Sequence, residues 1–383
     1  MLGLDVRHMP YAKQGRSTNM EQHSREKTRP KGRSWTLQEL SLLVAPLLLF
    51  GLVGGSQLAS RVIPRPSATL TGHLYPISSV AFSPKGNQLV SASGEPGVGG
   101  EVFLWDTNGR RIQRRLMGHT DDVSSVAFSP DGLIVVSAGW DKSVKLWDAR
   151  TGQCLRTLRG HSDWIQSLAF SPDGQVLASG GSDGTVRLWN TVTGATLRVL
   201  KGFGGWVEAV AFSPDGATLA TGCQDGTLKL WDVVSGKIRR QFVAEVDISR
   251  AVQCVAFSPD GKTLVDGGVG ARVWDAQTGE VLHTVSPGTF YISAISFSPD
   301  GKLLALGSYR CDSVRGDGTS SDSGDITLWR MQDGEYVQTL GRWGRGIFVL
   351  AFSPDQKTLV SAVDGSIFYW DVAKWNTPPQ AKH

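Results

Sequence analysis

The sequence predicts an all-β repeat protein, and two recurring landmarks carry this prediction. The phrase Ala-Phe-Ser-Pro-Asp-Gly, or a near copy, occurs seven times, with its Phe at 82, 128, 170, 212, 257, 297 and 352. A Trp follows each copy, at 105, 147, 189, 231, 274, 329 and 370. Copies at a period of about 42 residues indicate one structural unit repeated in tandem.

The third copy, residues 160–190, shows why the unit consists of strands. Ile165 to Phe170 is a short apolar-rich run, and Ser-Pro-Asp-Gly ends it in a turn, because Pro fixes φ and Gly accepts a positive φ. Three more strands are predicted at Val176 to Ser179, Thr185 to Trp189 and Thr196 to Leu200. Four antiparallel strands cannot bury both faces alone, whereas seven such sheets around an axis can.

The repeats resemble the WD-repeat family, the β-propellers related to the β-subunit of transducin. The matching residues are Gly-His at 72–73, 118–119 and 160–161, and Trp-Asp at 105–106, 147–148, 231–232, 274–275 and 370–371. The resemblance covers residues 68–373 and implies a seven-bladed propeller that serves as a non-catalytic protein-binding scaffold.

Residues 1–36 differ in composition from the repeats. They contain eight Lys or Arg and three Asp or Glu, whereas the whole chain has a net charge of +4. A basic, apolar-poor tail cannot bury enough surface to fold, so we expect it to be disordered. Contact with anionic lipid head groups and a simple topology signal are both consistent with its charge.

A membrane-spanning helix is predicted at residues 37–60. Leu40 to Ser60 carries no charge, and at about 1.5 Å per residue it reaches about 30 Å, enough for a bilayer core. A cleaved signal peptide and a buried soluble helix remain alternatives, although 36 residues before the apolar core is long for a signal peptide. The preceding positive charge predicts a cytoplasmic N-terminus, with the propeller across the membrane or secreted after cleavage. These features indicate a bacterial-type, membrane-anchored member of the family.

The repeats are flanked by short segments. Residues 61–67, with Pro64 and Pro66, predict a stiff tether, and residues 374–383 a C-terminal tail. Ala68 to Thr71 predicts a strand that precedes the first repeat, while the last repeat lacks a strand after its Trp-Asp. Pairing the two would close the ring in a blade that holds both chain ends.

The resemblance implies a structural tetrad of His, Ser, Asp and Trp in the best-preserved copies. In copy two the residues are His119, Ser137, Asp141 and Trp147, and in copy three they are His161, Ser179, Asp183 and Trp189. A carboxylate can orient the imidazole, which meets the hydroxyl, which reaches the indole N–H. The same trio in more than one blade argues for a structural network rather than a catalytic triad.

The other copies depart from this pattern. Copy four has Phe203 for His, copy five is shortened and lacks the Asp, and copies one and six carry inserts. We therefore expect blades one, five, six and seven to be less rigid than blades two and three. The insert of copy six, residues 309–325, predicts a solvated loop; a calcium site is the alternative, through Asp312, Asp317, Asp322 and Asp325.

Several function classes lack support in the sequence. The four cysteines fall at different repeat positions and form no C-x-x-C, so neither zinc nor a redox pair is indicated, and no cofactor motif is present. No metal site and no catalytic residue are predicted. The propeller lacks excess positive charge, which argues against nucleic acid.

The predicted function is a non-catalytic scaffold that binds another protein. Alternatives are an exported propeller that binds a small molecule or metal ion, and an enzyme with its site in the central channel. In this family, the residue where the chain enters each innermost strand lies on the top face, and here Trp164, Trp206 and Tyr291 occupy that position. Trp140 precedes the tetrad residue Asp141, another position that the family presents on the top face. The predicted partner site has its centre at Trp140, Trp164 and Trp206, with Gln166 and Glu208 as polar neighbours and Tyr291 as an extension.

Overall fold

The computed structural model describes residues 63–243, 251–285, 291–310 and 323–375. The predicted tail (1–36), the predicted membrane helix (37–60), Asp312, Asp317 and Asp322 of the insert, and most of the C-terminal tail lie outside these ranges. Among the described residues, no helix combines the length and the apolar character that a bilayer crossing requires.

The described strands form seven four-stranded antiparallel sheets, which we call blades one to seven. The first described strand is β1 (Ala68–Thr71), which belongs to blade seven. Blade one consists of β2 (Ile77–Phe82), β3 (Gln88–Glu95), β4 (Gly99–Asp106) and β5 (Arg111–Leu116). Blade two consists of β6 (Val123–Phe128), β7 (Ile134–Gly139), β8 (Ser143–Asp148) and β9 (Cys154–Arg159), and blade three of β10 (Ile165–Phe170), β11 (Val176–Gly181), β12 (Val186–Asn190) and β13 (Thr196–Leu200).

The remaining strands build blades four to seven. They are β14 (Val207–Phe212), β15 (Thr218–Cys223), β16 (Thr227–Asp232) and β17 (Ile238–Val243) in blade four; β18 (Cys254–Phe257), β19 (Thr263–Gly268), β20 (Gly270–Asp275) and β21 (Val281–Val285) in blade five; β22 (Tyr291–Phe297), β23 (Leu303–Tyr309), β24 (Gly324–Arg330) and β25 (Tyr336–Trp343) in blade six; and β26 (Leu350–Phe352), β27 (Thr358–Val363) and β28 (Ser366–Asp371) in blade seven. A single 3₁₀ turn, Ala373–Trp375, follows among the described residues.

The first strand of each repeat lies innermost, and these strands form a closed ring. Each contacts the innermost strand of the next blade, and β26 of blade seven contacts β2 of blade one. Middle strands such as β11 are buried along nearly their whole length, because neighbouring blades cover both faces of each sheet. The predicted all-β, seven-bladed propeller is thereby confirmed.

Blade seven contains both ends of the repeat region, as the sequence predicted. Its fourth strand is β1, which pairs with β28 in a register that places Ala68 opposite Tyr369 and Thr71 opposite Ser366. The N–H of Ser67 also donates to the carbonyl of Tyr369 at 2.7 Å. This pairing leaves no open gap between the first and last blades.

The two ends of the ring are different surfaces. We call the end where the innermost strands begin the top face, and the end with the Ser-Pro-Asp-Gly turns the bottom face. In the turn of blade three, the hydroxyl of Ser171 accepts from the N–H of Val176 at 2.9 Å, and Asp173 accepts from the N–H of Gln175 at 3.0 Å. The turn also needs a positive φ at Gly174, which is 71°.

The bottom turns pack against one another around the ring. A Cβ built on Gly174 would lie 3.3 Å from the Cδ of Pro130 in the preceding blade, and the same Pro–Gly approach recurs at six glycines, 86, 132, 174, 216, 261 and 301. Blade seven has Gln356 at this position, with a φ of 63°. It therefore holds a side-chain-bearing residue in the left-handed region.

Serine hydroxyls join the innermost strands of the first four blades. The hydroxyls of inner-strand serines accept from backbone N–H groups of the next blade at 3.1 to 3.2 Å, in the pairs Ser79 with Val126, Ser125 with Leu168, and Ser167 with Val210. The equivalent residues are Ala209 in blade four and Cys254 in blade five. The Cys254 thiol lies 3.5 Å from the carbonyl oxygen of Ile292, a weaker contact.

Candidate functional site

Blades two and three each contain a hydrogen-bonded network of four side chains. In blade three, His161 Nδ1 lies 2.9 Å from Asp183 Oδ2, and His161 Nε2 lies 2.7 Å from Ser179 Oγ. The indole N–H of Trp189 donates to the same hydroxyl at 2.8 Å. In blade two the corresponding distances are 2.8, 2.7 and 2.7 Å, among His119, Asp141, Ser137 and Trp147.

The aspartates of these networks are held in the ionised form. Burial alone would raise the pKa of Asp141, but hydrogen bonds from His119 and Ser143 outweigh burial and lower this pKa to about 2. The pKa of Asp183 is lowered in the same way: burial opposes ionisation, and hydrogen bonds from His161 and Thr185 favour it. A carboxylate that accepts several hydrogen bonds resists protonation.

These networks do not present a nucleophile to a substrate. Ser137 and Ser179 are fully buried, and each hydroxyl is already bonded to an imidazole and an indole. A catalytic serine must reach the scissile bond of its substrate. The trios therefore position the tryptophan inside the blade.

Blade one has a complete network that the sequence analysis missed. His73 Nδ1 lies 3.0 Å from Glu101 Oε2, and His73 Nε2 lies 2.6 Å from Ser91 Oγ, which accepts from the indole of Trp105 at 2.7 Å. The insert extends the β3–β4 hairpin up to the pair Glu95–Gly99, which brings a glutamate to the place of the usual aspartate. A Glu four residues before the Trp was the available sequence indication.

Blades four and seven replace the histidine by an aromatic ring. Phe203 packs on Trp231 with ring centroids 5.2 Å apart, and Trp343 packs edge-on against Trp370 at 5.5 Å. In both blades the indole still donates to a hydroxyl, of Thr221 at 2.9 Å and of Ser361 at 3.0 Å. Asp364 of blade seven, by contrast, is exposed and pairs with Arg345 at 2.7 Å.

Blades five and six hold their tryptophans in other ways. In blade five, Asp266 takes the place of the serine, accepts from the indole of Trp274 at 2.5 Å, and forms an ion pair with Arg272. In blade six, the fully buried Leu306 stands at that position, and the Trp329 indole donates to Thr327 instead, at 2.9 Å.

The three predicted tryptophans lie together on the top face. The rings of Trp140 and Trp164 are stacked, with centroids 4.0 Å apart and an interplanar angle of 7°. Trp206 meets Trp164 edge-on at 6.3 Å and 65°. We call these three residues the indole cluster; it spans blades two, three and four.

Backbone hydrogen bonds fix the loops that carry the indole cluster. The N–H of Trp140 donates to the carbonyl of Asp122 at 2.8 Å, and in the next two blades Ser182 and Gln224 donate equivalently to the carbonyls of Trp164 and Trp206. The cluster therefore rests on two sets of equivalent loops, rather than on one long flexible loop.

Two of the predicted partner residues are less accessible than expected. Trp140 is only 7% exposed, because its face is covered by the stacked ring of Trp164. Glu208, the second residue of the inner strand β14, is only 5% exposed. Trp140 and Glu208 therefore offer little surface to a partner, whereas Trp164 and Trp206 are half-buried.

The other two predicted residues have different surroundings. Gln166 donates from Nε2 to the hydroxyl of Ser182 at 2.9 Å, within blade three. Tyr291 is 36% exposed and stacks on Tyr309 at 5.2 Å, and Tyr309 in turn contacts Phe348 at 5.4 Å. The structure thus places Tyr291 in a second aromatic group, on blades six and seven.

The described residues contain no arrangement that suggests catalysis or metal binding. No group of three His, Cys, Asp or Glu in these ranges could hold a metal ion. A cavity of ≈ 450 Å³ opens at the bottom mouth of the channel, and its lining consists of Val, Ala, Phe, Ser, Pro and Leu residues. Those side chains offer no general acid or base.

Comparison with protein families agrees with this geometry. The model of the family described as "WD domain, G-beta repeat" matches residues 64–106, 110–148, 152–190, 194–232, 279–330 and 334–371. These matches cover more than half of the chain, which therefore belongs to the WD-repeat family. Among the curated proteins compared, none matches the chain.

The family model leaves one blade unmatched. Residues 233–278 lie between two matches, and they contain β17 to β20, including the three inner strands of blade five. This blade has Asp266 where blades two and three have serine. Its sequence departs from the family, while its sheet keeps the same order of strands.

Proposed function

We propose that this protein is a non-catalytic scaffold that binds another protein through the indole cluster of its top face. WD-repeat propellers typically act in this way. The observation that carries the proposal is the contact of three indoles from adjacent blades, two of them half-buried, on loops fixed by backbone hydrogen bonds. Rigid aromatic side chains with part of their surface exposed are frequent anchors of protein interfaces.

The roles within the cluster differ. Trp164 and Trp206 supply the surface that a partner contacts, whereas Trp140 supports the ring of Trp164 from below. Truncation of an interface anchor typically weakens binding by about 2 kcal/mol or more. Removing the supporting ring affects binding indirectly, through the orientation of Trp164.

The test is recovery of the partner with a double variant. Trp164→Ala with Trp206→Ala should abolish recovery of bound protein from detergent-solubilised membranes, with the fold unchanged by circular dichroism. The matched control is Trp375→Ala, a half-buried tryptophan after β28, whose end lies on the bottom face. Undiminished recovery with a folded double variant would move the partner site away from the indole cluster.

A membrane tether is the second part of the proposal, and it rests on the sequence of residues 37–60. The basic tail would then stay in the cytoplasm and the propeller would lie on the far side. We expect the protein to resist carbonate extraction, and protease added from the cytoplasmic side to trim only the tail. Digestion of the propeller from that side would contradict this orientation.

A further inference from the structure

The first four blades are electrically polarised. Their top-face loops contain six carboxylates and two lysines, with no arginine. Glu95 of β3, Glu101 of β4 and Arg159 of β9 lie at the same end of the blades. Their outer strands β5, β9, β13 and β17 contain eight arginines and no carboxylate. The indole cluster therefore lies in an acidic environment, although the propeller as a whole is nearly neutral.

The arginines of the outer strands already serve the fold. Arg114 Nη2 donates to the carbonyl of Arg150 at 3.1 Å, and Arg240 Nη2 donates to that of Gln277 at 3.1 Å, so each reaches the next blade. Arg198 makes the equivalent bond to Val234. Further outer-strand charge is balanced locally, as in the ion pair of Arg239 with Asp232 at 2.5 Å. Arginines of the outer strands thus link neighbouring blades.

The carboxylates of the top face divide into two groups. Glu101, Asp141 and Asp183 belong to the histidine networks and are largely buried. The other five carboxylates lie outside those networks, and they are Glu95, Asp121, Asp122, Asp163 and Asp225. This second group is not tied to a histidine, and all of its members except Glu95 lie in blades two to four, which carry the indole cluster.

Asp121 and Asp163 occupy equivalent positions beside the cluster. Each accepts a hydrogen bond at 2.9 Å from the N–H of the next residue, Asp122 and Trp164 respectively. The Asp163 side chain is 47% exposed, and the nearby Lys142 lies 3.8 Å away with 47% exposure. An exposed ion pair at that distance is weak, so a cation of a partner can compete with Lys142 for Asp163.

We propose that the partner segment bound at the top face is cationic: a peptide or loop that sets a Lys or Arg side chain against the indole cluster. This inference rests on the proposed protein-binding function. An indole face attracts a guanidinium or ammonium group within about 6 Å. Carboxylates next to that face add attraction and speed the encounter, and they disfavour an acidic partner. A neutral apolar segment would contact the indoles but would gain no electrostatic attraction from the carboxylates.

The test uses a defined probe with the full chain in detergent. Dye-labelled peptides of alternating Gly and Arg, Gly and Gln, or Gly and Glu are titrated and followed by fluorescence anisotropy. We expect the Arg peptide to bind at least about fivefold more tightly than the other two. Its binding should weaken as NaCl rises from about 50 to about 300 mM, because the carboxylates are near the surface.

Two pairs of variants separate local charge from net charge. Asp121→Asn with Asp163→Asn keeps the acceptor oxygens and removes two charges beside the indoles. Glu280→Gln with Glu335→Gln removes two exposed charges at equivalent positions of blades five and six. We expect the first pair to weaken binding of the Arg peptide about fivefold and the second to leave it unchanged. Equal effects of the two pairs, or equal binding of the Glu peptide, would overturn the proposal.

Recovery of the native partner distinguishes the docking site from its preference for a cationic segment. Recovery that depends on Trp164 and Trp206 but is insensitive to salt and to the Asn variants would leave the docking site in place and refute its cationic preference. Recovery that is also insensitive to the tryptophans would refute the docking site itself, and the cationic preference with it.

Discussion

In blades one to four and in blade seven, the residue at the histidine position determines how the tryptophan of the blade is held. His73, His119 and His161 connect a carboxylate to a hydroxyl and an indole, while Phe203 and Trp343 pack directly on the indole ring. A buried polar chain is favourable only when each member has its partner. The aromatic replacements avoid that requirement, because they bury apolar surface and need no hydrogen bond.

The first prediction concerns the network of blade three. Asp183→Ala leaves the imidazole of His161 without its carboxylate in a buried site, and should lower the free energy of unfolding by about 1–3 kcal/mol. Asp163→Ala is the control, since it removes the same residue type from a half-exposed position of the same blade. Urea denaturation measures both; equal losses would argue against a stabilising network.

The second prediction concerns the pH dependence of blade one. Burial lowers the pKa of His73 below its usual 6.5, and the hydrogen bond with Glu101 offsets only part of this shift. The folded state therefore binds a proton less readily than the unfolded state, so this contribution is present above about pH 6.5 and is lost as pH falls.

The measurement is the melting temperature between about pH 7.5 and about pH 5. His73→Gln should flatten the part of the pH dependence that His73 causes, whereas the exposed His283→Gln should leave the curve unchanged. A melting temperature that falls equally steeply in both variants would show that other groups dominate in this range.

At the scale of the element, the bottom turns show how one residue changes a recurring motif. Six turns have Gly at the left-handed position, and its missing side chain lets a proline of the preceding blade approach closely. Blade seven has Gln356 there, at a φ of 63°. A residue with a Cβ is strained in this region relative to Gly.

The third prediction follows from that difference. Gln356→Gly should raise the free energy of unfolding by about 0.5–1 kcal/mol, the relief of strain less the extra entropy of Gly in the unfolded chain. The reciprocal change, Gly174→Gln, should destabilise, because its φ is 71° and its Cβ would meet Pro130 at 3.3 Å. Thermal unfolding of both variants tests this; changes of the same sign would contradict it.

At the scale of the whole molecule, the ring is unevenly reinforced. Blades one to three have complete histidine networks, and serine hydroxyls join blades one to four and blade six to blade seven. Blade five has a four-residue inner strand, and Ala209 and Cys254 stand where earlier blades have serine. The expectation that blade one is less rigid did not take into account that Glu101, after the insert, completes the histidine network of this blade.

The fourth prediction uses this asymmetry. Amides of β11 should exchange with solvent more slowly than those of β19, because β19 pairs with a four-residue inner strand and β11 with a six-residue one, and local opening needs less energy where fewer contacts must break. Amides of β3 in blade one should resemble those of β11. Hydrogen exchange followed by mass spectrometry measures these strands separately, and uniform protection of all three would refute the proposed asymmetry.

The architecture could be predicted from the sequence because the same pattern of strands and turns recurs in seven copies. Seven copies of one turn motif were enough to predict the number of blades. The extra strand at Ala68 was enough to predict how the ring closes. Side-chain burial was harder to foresee. Stacking on Trp164 covers Trp140, a contact between two blades that one sequence does not reveal. Asp266 replaces a serine and pairs with Arg272 directly opposite in the same hairpin, a substitution that the repeat pattern does not predict.

Closure by β1 has a consequence for the biosynthesis of the protein. The bond between Ser67 and Tyr369 joins residues 302 positions apart, so β1 leaves the ribosome about 15–60 s before its partner strand does. Throughout that interval β1 is an unpaired edge, and its length of four residues limits what it can recruit. A chain that terminates early, before β28, never acquires this pairing. The ring can therefore close only after translation has reached the end of the seventh blade.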